Sequence, residues 1–155
     1  NSNVVSSWDI LNGQEVSGKC VVLGGGLVGA ETAEYLANKG LEVSIVEMMD
    51  KIAAQESDTV LPLMEADFEK HNVQKFVNTR VSEIKDNVIY AVNTKEETNI
   101  EITADTIVNA LGSKKNVFDD SKLSVPFTYV GDCSGERTAD IASAIRTGYK
   151  AANEI

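Results

Sequence analysis

The sequence predicts an α/β fold, with three layers built on a parallel sheet. An antiparallel β-meander takes the place of one crossover helix, and a separate strand–helix tail follows. Three observations predict it. Gly24, Gly26 and Gly29 stand in G-x-G-x-x-G spacing directly after the apolar run Val21-Val22-Leu23. An acidic residue, Glu47, closes the next apolar run, Leu41 to Val46. After Val77 the pattern changes to short β-rich segments separated by turn residues.

Val21-Val22-Leu23 reads as a strand buried on both faces, as parallel strands usually are. Gly24 then allows a tight turn. Gly26, with no side chain, lets a pyrophosphate approach the backbone, and Gly29 lets the next helix pack close to the sheet. Gly25, Leu27 and Val28 complete this candidate phosphate loop. The helix start adds free N–H groups and a partial positive charge. Leu27, Ala30, Ala33, Leu36 and Ala37 suit a helix with a small, apolar sheet side, and Gly40 ends it as a left-handed cap. Leu41 to Val46 is the second strand. Glu47, at its carboxyl end, is placed to accept hydrogen bonds from ribose hydroxyls. Met48 and Lys51 lie in the loop that follows, and Lys51 is the nearby cation. This series is that of a Rossmann-like dinucleotide-binding unit, with NADH as the expected ligand. A Rossmann-like unit without a dinucleotide is the bland alternative. A methyltransferase also uses a glycine-rich turn and a strand-end acid, but the meander and the Gly-Asp tail argue against it.

The remaining elements follow in order. Residues 1–3 look like an expression remnant or a frayed start, and Trp8 to Leu11 like a helical turn. A helix is expected from Ser57, Asp58 or Thr59, with Pro62 in its first turn. Leu61, Met64 and Phe68 form its buried stripe. Val73 to Val77 is a third strand. Arg80–Lys85, Val88–Val92 and Asn99–Ile102 form the meander. Thr106 to Leu111 is a further core strand ending at Gly112, and Lys114 to Ser124 is polar and loop-like. Phe127 to Val130 reads as a strand running into Gly131-Asp132. A loop, Cys133 to Arg137, leads to a last helix with the stripe Ile141, Ala144, Ile145, Gly148, Ala152 and Ile155. The expected organisation is a lead-in over 1–17, a nucleotide-binding domain over 18–112 and a tail over 113–155.

Composition limits the function. The 155 residues carry a net charge of −10, which argues against nucleic acid and acidic membrane surfaces. No run of apolar residues is long enough to span a membrane, and no secretory signal is evident. Cys20 and Cys133 are far apart in sequence, so reduced thiols and a cytoplasmic location are the expectation. With His71 the lone histidine, no metal site is expected. His71 itself suits a structural place at a helix C-terminus. No residue stands out as a general acid or base, so no catalytic residue is named.

Gly24–Gly29, Glu47, the meander, Ala110-Leu111-Gly112 and Gly131-Asp132 occur in an order that resembles one family. So does the string Gly-Asp-Cys with Ala-Ile-Arg-Thr-Gly-Tyr-Lys-Ala-Ala beyond it. The family is the pyridine nucleotide–disulfide oxidoreductase superfamily of flavoproteins with two dinucleotide-binding domains. Val46 to Ala53 adds a likeness to the C-terminal part of NADH:flavin oxidoreductases of the 2,4-dienoyl-CoA reductase and enoate reductase type. The resemblance implies an NADH domain inserted into an FAD domain, with hydride passing from NADH to flavin and electrons going on to another redox domain. It places Gly112 at the end of the NADH domain. It puts Gly131 and Asp132 near the FAD ribityl or pyrophosphate, and backbone N–H groups near Asp140 and Ile141 toward the flavin ring. Taken alone, Asp132 reads equally well as a solvated turn aspartate. The chain departs from the family in having one glycine motif, no disulfide cysteines and no cluster ligands. It is therefore expected to be a complete NADH domain with the tail of an FAD domain, whose missing half would leave the last helix free to self-associate. A stand-alone NAD(H)-binding redox sensor without turnover is the alternative.

Overall fold

The computed structural model describes residues 3–112, 114, 119, 121, 123–134 and 141–154. They fall into two compact units, Asn1–Gly112 and Ser113–Ile155.

The first unit is built on five strands: β1 (Val4–Ser6), β2 (Lys19–Leu23), β3 (Glu42–Val46), β4 (Gln74–Phe76) and β8 (Thr106–Asn109). They form one sheet in the order β1-β8-β2-β3-β4, with every pairing parallel. Between β4 and β8 the chain makes β5 (Thr79–Lys85), β6 (Val88–Asn93) and β7 (Thr98–Thr103), a separate antiparallel sheet.

β2 shows why three layers form. Its side chains alternate between faces. Cys20 and Val22 enter a core with Ala30, Ala33 and Leu36. Val21 and Leu23 enter a second core with Ile89 and Ile102 of the meander. The meander thus covers the sheet face that a crossover helix would otherwise cover. Burial of each such aliphatic side chain stabilises by roughly 1.5–3 kcal/mol relative to exposure, so neither face can be left open.

The helix after the glycines, α2 (Leu27–Asn38), buries Gly29, Ala30, Thr32, Ala33, Leu36 and Ala37. Its end is a Schellman motif. Gly40 at φ +83° donates to the Ala37 carbonyl (2.9 Å), and Leu41 donates to the Leu36 carbonyl (3.3 Å). α3 (Leu61–Lys70) buries Met64 and Phe68 and carries Pro62 in its first turn. It starts later than residues 57–59 because the Ser57 carbonyl accepts from Val60 (3.1 Å) and Leu61 (3.0 Å), making a turn first. His71 caps the C-terminus of α3.

The lead-in differs from expectation. Val4–Ser6 is an edge strand paired with β8, and the Asn3 carbonyl accepts from the Ile107 N–H at 2.9 Å. Residue 3 is therefore part of the sheet edge and not frayed, whereas residues 1 and 2 lie outside the described residues. Three residues are too few to show a period, so only the pairing reveals this strand. α1 (Ser7–Leu11) follows, capped by the Ser6 hydroxyl, which accepts from Trp8 N–H at 3.2 Å.

The second unit departs further. No strand forms over Phe127 to Val130. A strand needs a ladder of hydrogen bonds to a neighbouring strand, and no other strand is formed among the described residues of this unit. Gly131–Ser134 is a 3-10 turn, and α4 runs over Ile141–Asn153. The buried side of α4 is Ser143 and Thr147, while Ile141, Ile145 and Tyr149 are 82%, 68% and 73% exposed. The expected apolar stripe thus faces outward. Residues 135–140 and Ile155 lie outside the described residues, so the Asp140 N–H and part of the Cys133–Arg137 loop do too. Among the described residues, no helix is long and apolar enough to cross a membrane.

Candidate dinucleotide site

Parallel registers bring three strand ends level. Leu23 pairs with Val46 on one side and with Asn109 on the other. The segments leaving these ends, from Gly24, Glu47 and Ala110, meet at the carboxyl edge of the sheet, where open α/β sheets bind ligands.

The glycines of the loop answer to different constraints. At Gly24 (φ +98°) a Cβ would lie 2.5 Å from the Ala110 carbonyl oxygen. At Gly25 a Cβ would lie 2.9 Å from Glu47 Cβ and 3.1 Å from Ile52 Cγ1. At Gly29 it would lie 1.9 Å from the Gly24 carbonyl oxygen. These three positions are closed by the chain itself. Gly26 is different: a Cβ there meets nothing within 4 Å, and its φ of −66° suits any residue. Neither packing nor backbone strain within the chain requires a glycine at that position.

Gly26 is also the N-cap of α2, and no side chain caps the helix. The first helical hydrogen bond is Ala30 N–H to the Gly26 carbonyl, 2.9 Å. The N–H groups of Leu27, Val28 and Gly29 therefore have no partner within the helix. An uncapped helix start beside an open glycine suits an anion.

Glu47 lies at the end of β3, as its position in sequence implies, and the tertiary structure occupies its carboxylate. Oε2 accepts from Gly25 N–H at 2.6 Å and Oε1 from Met49 N–H at 2.7 Å. Each oxygen keeps acceptor capacity for a hydroxyl. Met48 and Met49 are 57% and 58% exposed beside it, and Lys51 is exposed. Gly112 (φ +92°) closes the first unit. In the second unit Gly131 donates its N–H to the Thr147 hydroxyl at 2.8 Å, and Asp132 is exposed.

Sequence reasoning passed over Ile52 and Ala53 as contributors. Both are buried, and Ala53 N–H donates to the Gly25 carbonyl at 2.7 Å. The available signal was the apolar run Ile52-Ala53-Ala54 between the polar pairs Asp50-Lys51 and Gln55-Glu56. It also passed over Ala110, whose carbonyl backs Gly24. Burial pushes the Cys20 thiol up, with Asp105 adding to the effect against a Thr106 hydrogen bond that lowers it. That is an inert core cysteine. Among the described residues, no group of His, Cys, Asp and Glu could hold a metal.

The family model for pyridine nucleotide-disulphide oxidoreductases matches residues 2–143. A bilirubin reductase of Mediterraneibacter gnavus is 46% identical over 99% of this chain and 24% of its own length. An NADH oxidase of Thermoanaerobacter brockii is 33% identical over 100% of this chain and 24% of its own length. Among solved structures, a 2-naphthoyl-CoA reductase in complex with 2-naphthoyl-CoA superposes with a TM-score of 0.78 at 29% identity. It covers 100% of this chain and 24% of that one. The chain spans about a quarter of the length of the relatives it matches.

Proposed function

Because the chain belongs to the pyridine nucleotide-disulphide oxidoreductase family, we propose that it is the NADH-binding part, with a trailing flavin-domain segment, of a larger FAD-dependent oxidoreductase. The observation that carries this reading is Gly26: an open cradle at an uncapped helix start, with the Glu47 carboxylate alongside. When bound, NADH supplies a hydride to the flavin. The residues of this chain bind and orient. The loop from Gly24 to Gly29, through Leu27 and Val28, presents N–H groups to the pyrophosphate. Glu47 takes the adenosine ribose, with Met48 and Lys51 at its rim. In the second unit Gly131 and Asp132 belong to the flavin side.

A side-by-side titration with NADH and S-adenosylmethionine tests the reading: NADH binds and S-adenosylmethionine does not. Binding of S-adenosylmethionine alone would overturn it.

The chain is expected to prefer NADH over NADPH, since the Glu47 carboxylate accepts from ribose hydroxyls and repels a 2′-phosphate. Glu47→Ala should narrow the gap, with NADH losing more. The same variant frees the Gly25 and Met49 N–H groups, so some NADH affinity is lost through the loop as well. Competition binding checks this, and tighter NADPH binding by the unaltered chain would sink it.

This chain alone is expected not to retain FAD. The FAD segment proposed here offers Gly131, Asp132 and the start of α4. A helix N-terminus contributes roughly 0.3–1 kcal/mol at an exposed site, against about 8 kcal/mol for micromolar affinity. Purified protein should be colourless, and added FAD should separate on gel filtration. A yellow stoichiometric complex would show that the flavin site has been misassigned.

A further inference from the structure

We infer that the loop segment Ile52-Ala53 is a strap that sets the direction of the Gly26 N–H, making Ala53 a positioning residue for the pyrophosphate. This rests on the dinucleotide reading above. The N–H groups of the first two loop glycines are consumed by the chain: Gly24 donates to the Val46 carbonyl (2.9 Å) and Gly25 to Glu47 Oε2 (2.6 Å). Gly26 therefore carries the first N–H of the loop left for an anion. Its direction is set by the peptide it shares with Gly25. In a trans peptide the carbonyl and the N–H point opposite ways, and the Gly25 carbonyl accepts from Ala53 N–H at 2.7 Å. Holding that carbonyl toward the strap turns the Gly26 N–H away from it.

The strap is held under strain. Ala53 sits at φ +48°, a left-handed conformation disfavoured for any residue with a Cβ. Ile52 and Ala53 are nonetheless 2% and 1% exposed, packed into the helix-side core. Ile52 is also one of the two neighbours, with Glu47, that a Cβ at Gly25 would crowd. Strained residues persist where their surroundings over-determine them, and ligand clamps are such places.

The test uses the whole chain with NADH, ADP-ribose and adenosine as probes. Ala53→Pro removes the donor and cannot adopt the positive φ. Ile52→Ala keeps the donor but loosens the strap's anchor. Ala53→Gly keeps the donor and relieves the backbone. Ala53→Pro should weaken NADH and ADP-ribose alike by about tenfold, the loss of one hydrogen bond to a charged group. Ile52→Ala should show a smaller loss of the same pattern. Adenosine, followed by saturation-transfer NMR, should bind all variants alike, since it has no pyrophosphate. Ala53→Gly should keep the affinity of the unaltered chain. Amide exchange without ligand should show the residue-53 N–H, the strap's donor, protected in the unaltered chain and in Ala53→Gly, and less protected in Ile52→Ala. If the unaltered chain binds no NADH, the dinucleotide reading fails and this inference with it. If it binds NADH, and folded Ala53→Pro and Ile52→Ala bind it equally well, the strap has no positioning role and the dinucleotide reading stands. A loss that falls equally on adenosine would also overturn the inference, since it would mark a general collapse of the site.

Discussion

Gly29→Ala is expected to destabilise the first unit by about 3 kcal/mol or more, the upper end of what overpacking costs. The added Cβ would lie 1.9 Å from the Gly24 carbonyl oxygen and 3.2 Å from Ala110 Cβ. The first of these is backbone, and it has nowhere to go. Gly24 N–H is bonded to the Val46 carbonyl and Ala110 N–H to the Leu23 carbonyl, both at 2.9 Å. Moving Gly24 would thus pull on the ends of β2, β3 and β8 together. The alternative is for α2 to back away from the sheet, which opens space beside Ala30 and Ala33, both fully buried. Urea denaturation followed by circular dichroism measures the effect. Gly26→Ala in the same loop serves as the comparison and should leave the midpoint within about 0.5 kcal/mol, as substitutions away from packed features do. An unchanged midpoint for Gly29→Ala would show that the loop is not closed against α2 as described.

Gly26→Val is expected to have the reverse profile. Its side chain enters open space, so stability should hold. The space it enters is that assigned to the pyrophosphate, so NADH affinity should fall at least tenfold, about 1.4 kcal/mol. Calorimetry with the unaltered chain and the variant, alongside denaturation of both, separates binding from folding. Equal affinity would remove the glycine turn from the site. The two variants together distinguish a glycine the fold requires from one that only a ligand would require, three residues apart at one helix start.

The relation between sequence and structure differs from element to element. The loop and α2 were legible because their signals are local: apolar run, glycine spacing, small helix face and Gly40 cap each depend on a few adjacent residues. The meander was legible from turn residues such as Asp86 and Asn87, both at positive φ. β1 was not, because three residues carry no period and its partner, β8, lies about a hundred residues away. Phe127 to Val130 has the residues of a strand, but no second strand forms among the described residues of its unit to pair with it, and propensity alone does not make a ladder. In α4 the periodicity was visible, but period says which residues share a face and not what covers it. Ser143 and Thr147 are the ones turned inward.

By itself the sequence determined the class of fold, the order of its parts, and the presence of an acid at a strand end near a glycine loop. These follow from residue type and short-range spacing, which set backbone freedom and the buried face. Only the tertiary structure decided how the loop is held. Glu47 oxygens take the Gly25 and Met49 N–H groups, Ala53 takes the Gly25 carbonyl, and Gly24 and Gly29 are closed while Gly26 stays open. The reason is that hydrogen bonds and excluded volume act between atoms brought close by parallel pairing of β2, β3 and β8, and no local pattern encodes which of four nearby glycines will face a neighbour and which will face open space.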